Sequence, residues 1–235
     1  MIDISITNVF ERYELKYIIT KEQKNAVLKA LEPYMQMDQY GKTTIRNIYF
    51  DTENFRLIRH SIEKPVYREK LRIRSYDKVK NDDCVYVEIK KKFEDVVYKR
   101  RIALPYSKAM PWLCGKSTID DTSQIANEID YFISYYKDLK PEVYISYERE
   151  AYYMRDGSDF KVTFDENILW REDNLSLEKD AYGTPILESG HMIMEIKTAK
   201  AIPLWLTAVL TKEHICKQPF SKYGKAYEEL VNVYI

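Results

Sequence analysis

The chain has 235 residues, with 37 Lys plus Arg against 37 Asp plus Glu, so its net charge is zero. A balanced total argues against a general nucleic-acid or membrane-surface binder, but not against a local concentration of positive charge. Three scattered cysteines, Cys84, Cys114 and Cys216, show no CxxC spacing; they argue against zinc and fit a reducing compartment.

Taken in order, Phe10 to Ile19 alternates as a first strand, with Arg12, Glu14 and Lys16 on one face and Tyr13, Leu15 and Tyr17 on the other. Thr20 and Gln23 form a capping box for a helix from Lys21 to about Leu31. Thr43 to Phe50 reads as a strand and Phe55 to His60 as a short helix. In Glu69 to Tyr76, Leu71 and Ile73 face one way and Arg72 and Arg74 the other. In Val85 to Lys90, the three apolar residues share one face and Glu88 and Lys90 share the opposite one. Val96 to Leu104 is a further strand, with Lys99 and Arg101 together and Pro105 ending it.

Residues 106–140 look helical, with Ser123 as a cap. A long strand runs from Pro141 to about Tyr153, with Val143, Ile145, Tyr147 and Arg149 on one face. The turn at Asp156-Gly157-Ser158-Asp159 leads into Phe160 to Asp165, where Lys161, Thr163 and Asp165 align. Residues 166–190 are poorly patterned, with one short strand expected near Leu175. His191 to Thr198 aligns Ile193, Glu195 and Lys197; helices follow from Leu204 to His214 and from Ser221 to about Tyr234. The most apolar run, Ala201 to Leu210, is too short to span a bilayer, and the N-terminus lacks a signal-peptide layout. The expectation is one domain over residues 1–235, cytoplasmic and not membrane-inserted.

Each charged face alone reads as the solvated side of a half-buried sheet. Together they gather Arg12, Lys16, Arg72, Arg74, Lys90, Lys99, Arg101, Arg149, Lys161 and Lys197, with Glu14, Glu88 and Glu195 among them. A closed sheet with a charged interior and a greasy exterior explains the repetition better. Arginine forks and lysine point charges suit phosphate chains, and carboxylates beside phosphates suit magnesium or manganese. Ser221-Lys222-Tyr223-Gly224-Lys225 reads either as a phosphate-binding turn at a helix N-terminus or as a plain N-cap with exposed lysines. No P-loop, GxSxG or HExxH occurs, no dedicated base-reading set is visible, and His60, His191 and His214 are isolated.

Nine pieces appear in one order: FERYELKY at 10–17, IYFD at 48–51, LRIRSY at 71–76, VEIK at 87–90, KRR at 99–101, YER at 147–149, VTFD at 162–165, MEIK at 194–197 and FSKY at 220–223. Together they resemble the VTC domain, the polyphosphate polymerase domain of the vacuolar transporter chaperone complex, which belongs to the triphosphate tunnel metalloenzymes, relatives of the CYTH superfamily. The resemblance implies an α+β fold: a closed antiparallel tunnel of about eight strands with helices packed outside. It implies a manganese- or magnesium-dependent phosphotransferase that moves the terminal phosphate of ATP onto polyphosphate. Lys16, Arg72, Arg74, Lys90, Lys99, Arg149 and Lys161 would grip phosphates, Tyr147, Ser221 and Lys222 would complete the site, and Glu195 would hold metal, with Glu14 and Glu88 as further candidate ligands. Arg12, Arg101 and Lys197 share the faces that would line the substrate path. The ligand would be ATP or inorganic tri- or polyphosphate, with no nucleic acid; protein partners are left open. Two departures stand out: Arg12 replaces the first Glu of the superfamily's ExExK, and Lys161 stands where a relative could carry Arg. Nothing in the chain resembles the SPX domain or membrane helices of the vacuolar proteins, so a transport role does not carry over. Hydrolysis of triphosphate and non-catalytic polyanion binding are the alternative readings.

Overall fold

The structure is a computed structural model that describes residues 13–94 and 96–233; Arg12 and the start of the expected first strand lie outside the described residues. The elements are β1 (Tyr13–Thr20), α1 (Lys21–Leu31), β2 (Met35–Met37), β3 (Thr43–Asp51), α2 (Arg56–Ile62), β4 (Tyr67–Tyr76), β5 (Cys84–Phe93), β6 (Val96–Pro105), α3 (Tyr106–Leu113), α4 (Gln124–Tyr136), β7 (Lys140–Met154), β8 (Phe160–Arg171), β9 (Thr184–Pro185), β10 (His191–Thr198), α5 (Leu204–Lys212) and α6 (Lys222–Val233). The expected capping box is present: Gln23 N donates to Thr20 Oγ1 and Thr20 N to Gln23 Oε1. Ser123 caps α4 as its sequence position suggests.

One antiparallel sheet runs β1-β10-β8-β7-β3-β4-β5-β6, with β2 on β7 and β9 on β8. The expectation of a closed sheet needs correcting. Among the described residues β1 and β6 are the two ends of the ladder and do not pair. The sheet nevertheless curls far enough for Lys90 Nζ of β5 to reach Glu14 Oε2 of β1 at 2.7 Å. A charged side-chain pair thus links β1 to β5, the strand next to the β6 end, because the inner faces that meet there carry lysine and glutamate.

The convex face is apolar and covered by helices, as expected. Ile48, Phe50, Leu71, Ile73, Val85, Val87 and Ile89 pack with Trp112 and Leu113 of α3 and Ile129 and Phe132 of α4. On the other half, Tyr17, Phe160, Val162, Phe164, Met194 and Ile196 pack with Val27 and Leu31 of α1 and Leu206 and Leu210 of α5. A third cluster lies on the concave face. There Tyr223, Ala226 and Leu230 of α6 pack on Tyr49, Val143, Ile145, Ile168, Trp170 and Ile193, and so occupy one end of the lumen.

Residues 106–140 are two helices, not one helical stretch: Gly115 at φ +65° follows α3, and α4 begins only at Gln124. The strand expected near Leu175 is absent. Its place is taken by a loop wrapped around Arg171, whose guanidinium donates to the carbonyls of Asp173 at 3.2 Å and Tyr182 at 2.9 Å, among others. β8 continues past Asp165 to Arg171 across an irregularity at Asn167, φ +48°. Asp165 and Ile168 then both face the concave side, which breaks the period-two pattern.

Asp51, wholly buried at the end of β3, ties the lumen end together. Its carboxylate accepts from the N–H groups of Thr52, Leu57 and Ile58 and from Tyr223 Oη at 2.9 Å, so it caps α2 and latches α6. Tyr223→Phe should leave this buried carboxylate one donor short and lower unfolding free energy by about 1–3 kcal/mol. Urea unfolding would show it; an unchanged midpoint would mean that α6 is held by its apolar stripe alone.

Candidate functional site

The concave face carries the charge. Strand alternation places Lys70, Arg72 and Arg74 of β4, Glu88 and Lys90 of β5, Lys99 and Arg101 of β6, and Tyr147 and Arg149 of β7 on it. Lys161 and Asp165 of β8, Glu195 and Lys197 of β10, and Glu14 and Lys16 of β1 join them. The α6 N-terminus adds Ser221 and Lys222. The fold thus brings together every sequence-predicted site residue within the described part of the chain.

The two arginines of β4 are fixed before any ligand arrives. Glu88, with no exposed side-chain surface, pairs with Arg72 Nη2 at 2.6 Å and Lys99 Nζ at 2.7 Å, and lies 3.8 Å from Arg74 Nε. Arg72 Nη1 also donates to Tyr49 Oη at 2.9 Å; Arg74 donates to Asn47 Oδ1 at 2.9 Å and Tyr147 Oη at 3.1 Å. Burial raises the Glu88 pKa, but Arg74, Arg72 and Lys99 outweigh it and hold the carboxyl well below its usual range. Glu88 therefore sits enclosed by cations as the holder of the arginines.

Opposite, Asp165 plays a similar part. Arg149 grips it twice, at 2.5 and 2.7 Å, and Lys222 Nζ reaches it at 2.5 Å. Burial pushes Asp165 up, yet Arg149 and Lys222 bring it down to about 2. Tyr147 lies under Lys222, whose Nζ is 4.4 Å from the ring centre. Burial raises its phenol, but Arg149 and Arg74 prevail and bring it to about 8.

Glu195 and Glu14 form the third acidic locus. Glu195 lies 3.1 Å from Lys197, 3.7 Å from Arg149 and 3.9 Å from Lys16. Burial opposes its charge, but Lys197, Lys16 and Arg149 keep it ionised well below the usual range. Burial likewise raises Glu14, whereas Lys90 pulls it down to about 2, and the two glutamates lie close enough to influence one another. Among the described residues no cluster of three or more His, Cys, Asp or Glu forms a ready cation cage. Two carboxylates on this cationic face still fit a hard divalent ion that would take its remaining ligands from water or an anionic ligand.

Lys70 and Asp165 escaped the sequence-based site, although each shares a strand face with a selected residue, Lys70 two positions from Arg72 and Asp165 four positions from Lys161. Lys70 matters most. Its Nζ donates to Ser221 Oγ at 3.0 Å, and the largest charge effects on it come from four cations, Lys16, Lys90, Arg68 and Arg72. Burial and those four charges bring it down to about 7. Ser221 Oγ also accepts from Gly224 N at 3.0 Å, so it caps α6 while Lys222 is drawn inward; Lys225 pairs with Glu228 in solvent. A separate cavity of about 420 Å³ lies between α2 and α4, lined by Arg56, Tyr131 and Tyr135 together with Arg68, Glu69, Lys91 and Glu128.

Lys70, Lys16 and Lys161 all bind their proton less tightly when folded: burial lowers each, and neighbouring cations lower it further, to about 7, 8 and 8. Between pH 7 and 9 the unfolded chain therefore holds more protons than the native one, and stability rises with pH. Tyr147, brought to about 8, acts in the same direction. Melting temperature in an anion-poor buffer should climb from pH 7 to 9, and millimolar tripolyphosphate should flatten the climb by restoring the lysine protons. A flat or falling profile without ligand would contradict this electrostatic picture.

The model of the VTC domain family matches residues 11–231. No curated protein matches the chain in sequence. Among solved structures, a Bacillus halodurans protein studied as a candidate adenylate cyclase superposes with a TM-score of 0.56 at 15% identity, covering 90% of this chain and 96% of that one. A Hippeastrum protein, studied as an adenylyl cyclase candidate and found to have a dominant triphosphatase activity, gives 0.51 at 17% identity over 91% and 93% of the two chains. A Vibrio parahaemolyticus protein, another candidate adenylate cyclase, gives 0.50 at 11% identity over 94% and 99%. These likenesses show that the fold is shared with those three proteins, and the family match over residues 11–231 shows that the chain belongs to the VTC domain family.

Proposed function

We propose that this protein is a metal-dependent phosphotransferase that moves the terminal phosphate of a nucleoside triphosphate, ATP foremost, onto a growing polyphosphate chain. The observation that supports it is Lys70, a lumen ammonium that donates to Ser221 Oγ and takes its largest charge effects from other cations, Lys16, Lys90, Arg68 and Arg72. Such a group is a cost to the empty protein and becomes favourable when a polyanion lies beside it. Membership of the VTC family and the triphosphatase activity of the Hippeastrum relative support a triphosphate as that polyanion.

Phosphoryl transfer asks the protein for positioning and for charge stabilisation where negative charge spreads over the transferred group. Arg72 and Arg74, locked by Glu88, Tyr49 and Asn47, present guanidiniums that need no reorganisation. Arg149 and Lys222, held together by Asp165, face them from β7 and α6. Lys16 is anchored on Phe220 O at 2.9 Å and Lys70 on Ser221, which sets both beside the α6 N-terminus. A divalent manganese or magnesium ion held by Glu195 and Glu14 would supply further charge neutralisation at the phosphate oxygens. Glu88, already enclosed by three cations, is the least suited of the three candidate ligands.

Hydrolysis of short triphosphates is a second reading. It is favoured by α6, which occupies one end of the concave face and suits a short substrate that enters and leaves by the other end. Incubation with ATP and manganese, with products resolved on a gel, separates the two: a ladder of chains supports transfer to polyphosphate, and phosphate alone supports hydrolysis. Glu195→Gln should keep the fold and triphosphate binding yet raise the manganese requirement by more than about tenfold, the smaller loss expected even for an outer-shell partner. Superimposable turnover curves against manganese for the two proteins would remove Glu195 from the metal site.

A further inference from the structure

The open end of the lumen is rimmed by tyrosines that the phosphate chemistry does not use. The strand faces bearing the cations continue outward. Tyr76 follows Arg72 and Arg74 on β4, Tyr86 precedes Glu88 and Lys90 on β5, and Tyr153 follows Tyr147 and Arg149 on β7. Tyr40, in the link between β2 and β3, joins them. Tyr76 and Tyr86 meet edge to face with ring centres 5.6 Å apart. Asp38 N donates to Ala151 O at 2.8 Å, two residues before Tyr153 on the same strand face, which brings the loop carrying Tyr40 to the Tyr153 side of the mouth.

Three of these rings stay open to solvent, Tyr40 71% exposed, Tyr76 47% and Tyr153 38%, and Tyr86 is half-buried. Two cations stand against them where the lumen begins. Arg101 Cζ is 4.9 Å from the centre of the Tyr86 ring, Lys161 Nζ is 4.1 Å from that of Tyr153, and Lys161 also donates to the Tyr153 hydroxyl. A phosphate chain gains nothing from the electron-rich face of an aromatic ring. A nucleobase does, and because every base has a π-face the gain is the same in kind for all of them. The carboxylate at this rim, Asp38, accepts from Tyr40 N at 3.2 Å, which ties it to the loop that carries Tyr40.

We propose that this mouth is a nucleobase platform: it seats the base of a nucleoside triphosphate against Tyr76 and Tyr86 while the phosphates pass Arg101 and Lys161 into the lumen, without choosing among bases. The platform rests on the reading of the lumen as a triphosphate site and adds to it the nucleoside half of the substrate.

Calorimetric titration of ATP, GTP and inorganic tripolyphosphate, without divalent metal so that no turnover intervenes, tests it on the wild type, Tyr86→Ala and Tyr76→Leu. Tyr40→Ala, at the most exposed of the four positions, is the variant least able to disturb the fold. Wild type should bind ATP and GTP within about twofold of each other. Tyr86→Ala and Tyr76→Leu should weaken both nucleotides about tenfold and leave tripolyphosphate unchanged. Equal losses for tripolyphosphate and nucleotides, or no loss for nucleotides in any of the three variants, would overturn the platform while leaving the triphosphate lumen in place. Failure of wild type to bind tripolyphosphate at all would instead overturn the proposed function, and the platform with it.

Discussion

The repulsion among cations gathered on one concave face is the constraint on which the rest of this structure depends. Like charges held close in a partly desolvated space raise one another's cost. The fold answers locally with buried acids: Glu88 beneath Arg72, Arg74 and Lys99, Asp165 beneath Arg149 and Lys222, Glu195 among Lys16, Arg149 and Lys197, and Glu14 beside Lys90. Each acid orients its cations as well as neutralising them. What remains unanswered, Lys70 above all, is the part of the field left for a ligand.

The surrounding architecture follows from keeping that face inward. An apolar convex surface has to be covered, and α1 with α5 on one half and α3 with α4 on the other do so. The concave face needs a partner only where it is apolar, and there α6 packs. Because α6 is latched through Tyr223 to Asp51 and stacks on Tyr49, whose hydroxyl accepts from Arg72, the seating of the C-terminal helix and the aim of a lumen arginine are mechanically linked.

Much of this was legible in the sequence. Period-two alternation in strands such as 71–76 and 87–90 assigns the charged and greasy faces correctly, and local signals such as the Thr20–Gln23 box place helix starts. What alternation cannot convey is how strands curve relative to one another. The approach of β5 to β1, bridged by Lys90 and Glu14, and the tyrosine mouth assembled from β4, β5, β7 and the link before β3 are both products of curvature. The irregularity at Asn167 inverts the pattern within β8 and hides the strand beyond Asp165. The loop around Arg171 is organised by one guanidinium and carries no periodic signature. Lys70 was legible from its parity with Arg72; the cations Lys16, Lys90 and Arg72 that weigh most on it were not, since their meeting depends on how the strands curve.

The central claim is that the lumen carries positive charge the empty protein would be more stable without. Lys70→Met removes the least compensated of those charges and keeps an apolar stem of similar length. The urea midpoint of the ligand-free variant, measured at pH 7 in an anion-poor buffer, tests the claim most directly. A midpoint above that of wild type is the predicted result. A lower one would show that Lys70 is a stabilising member of the native network and would contradict the account.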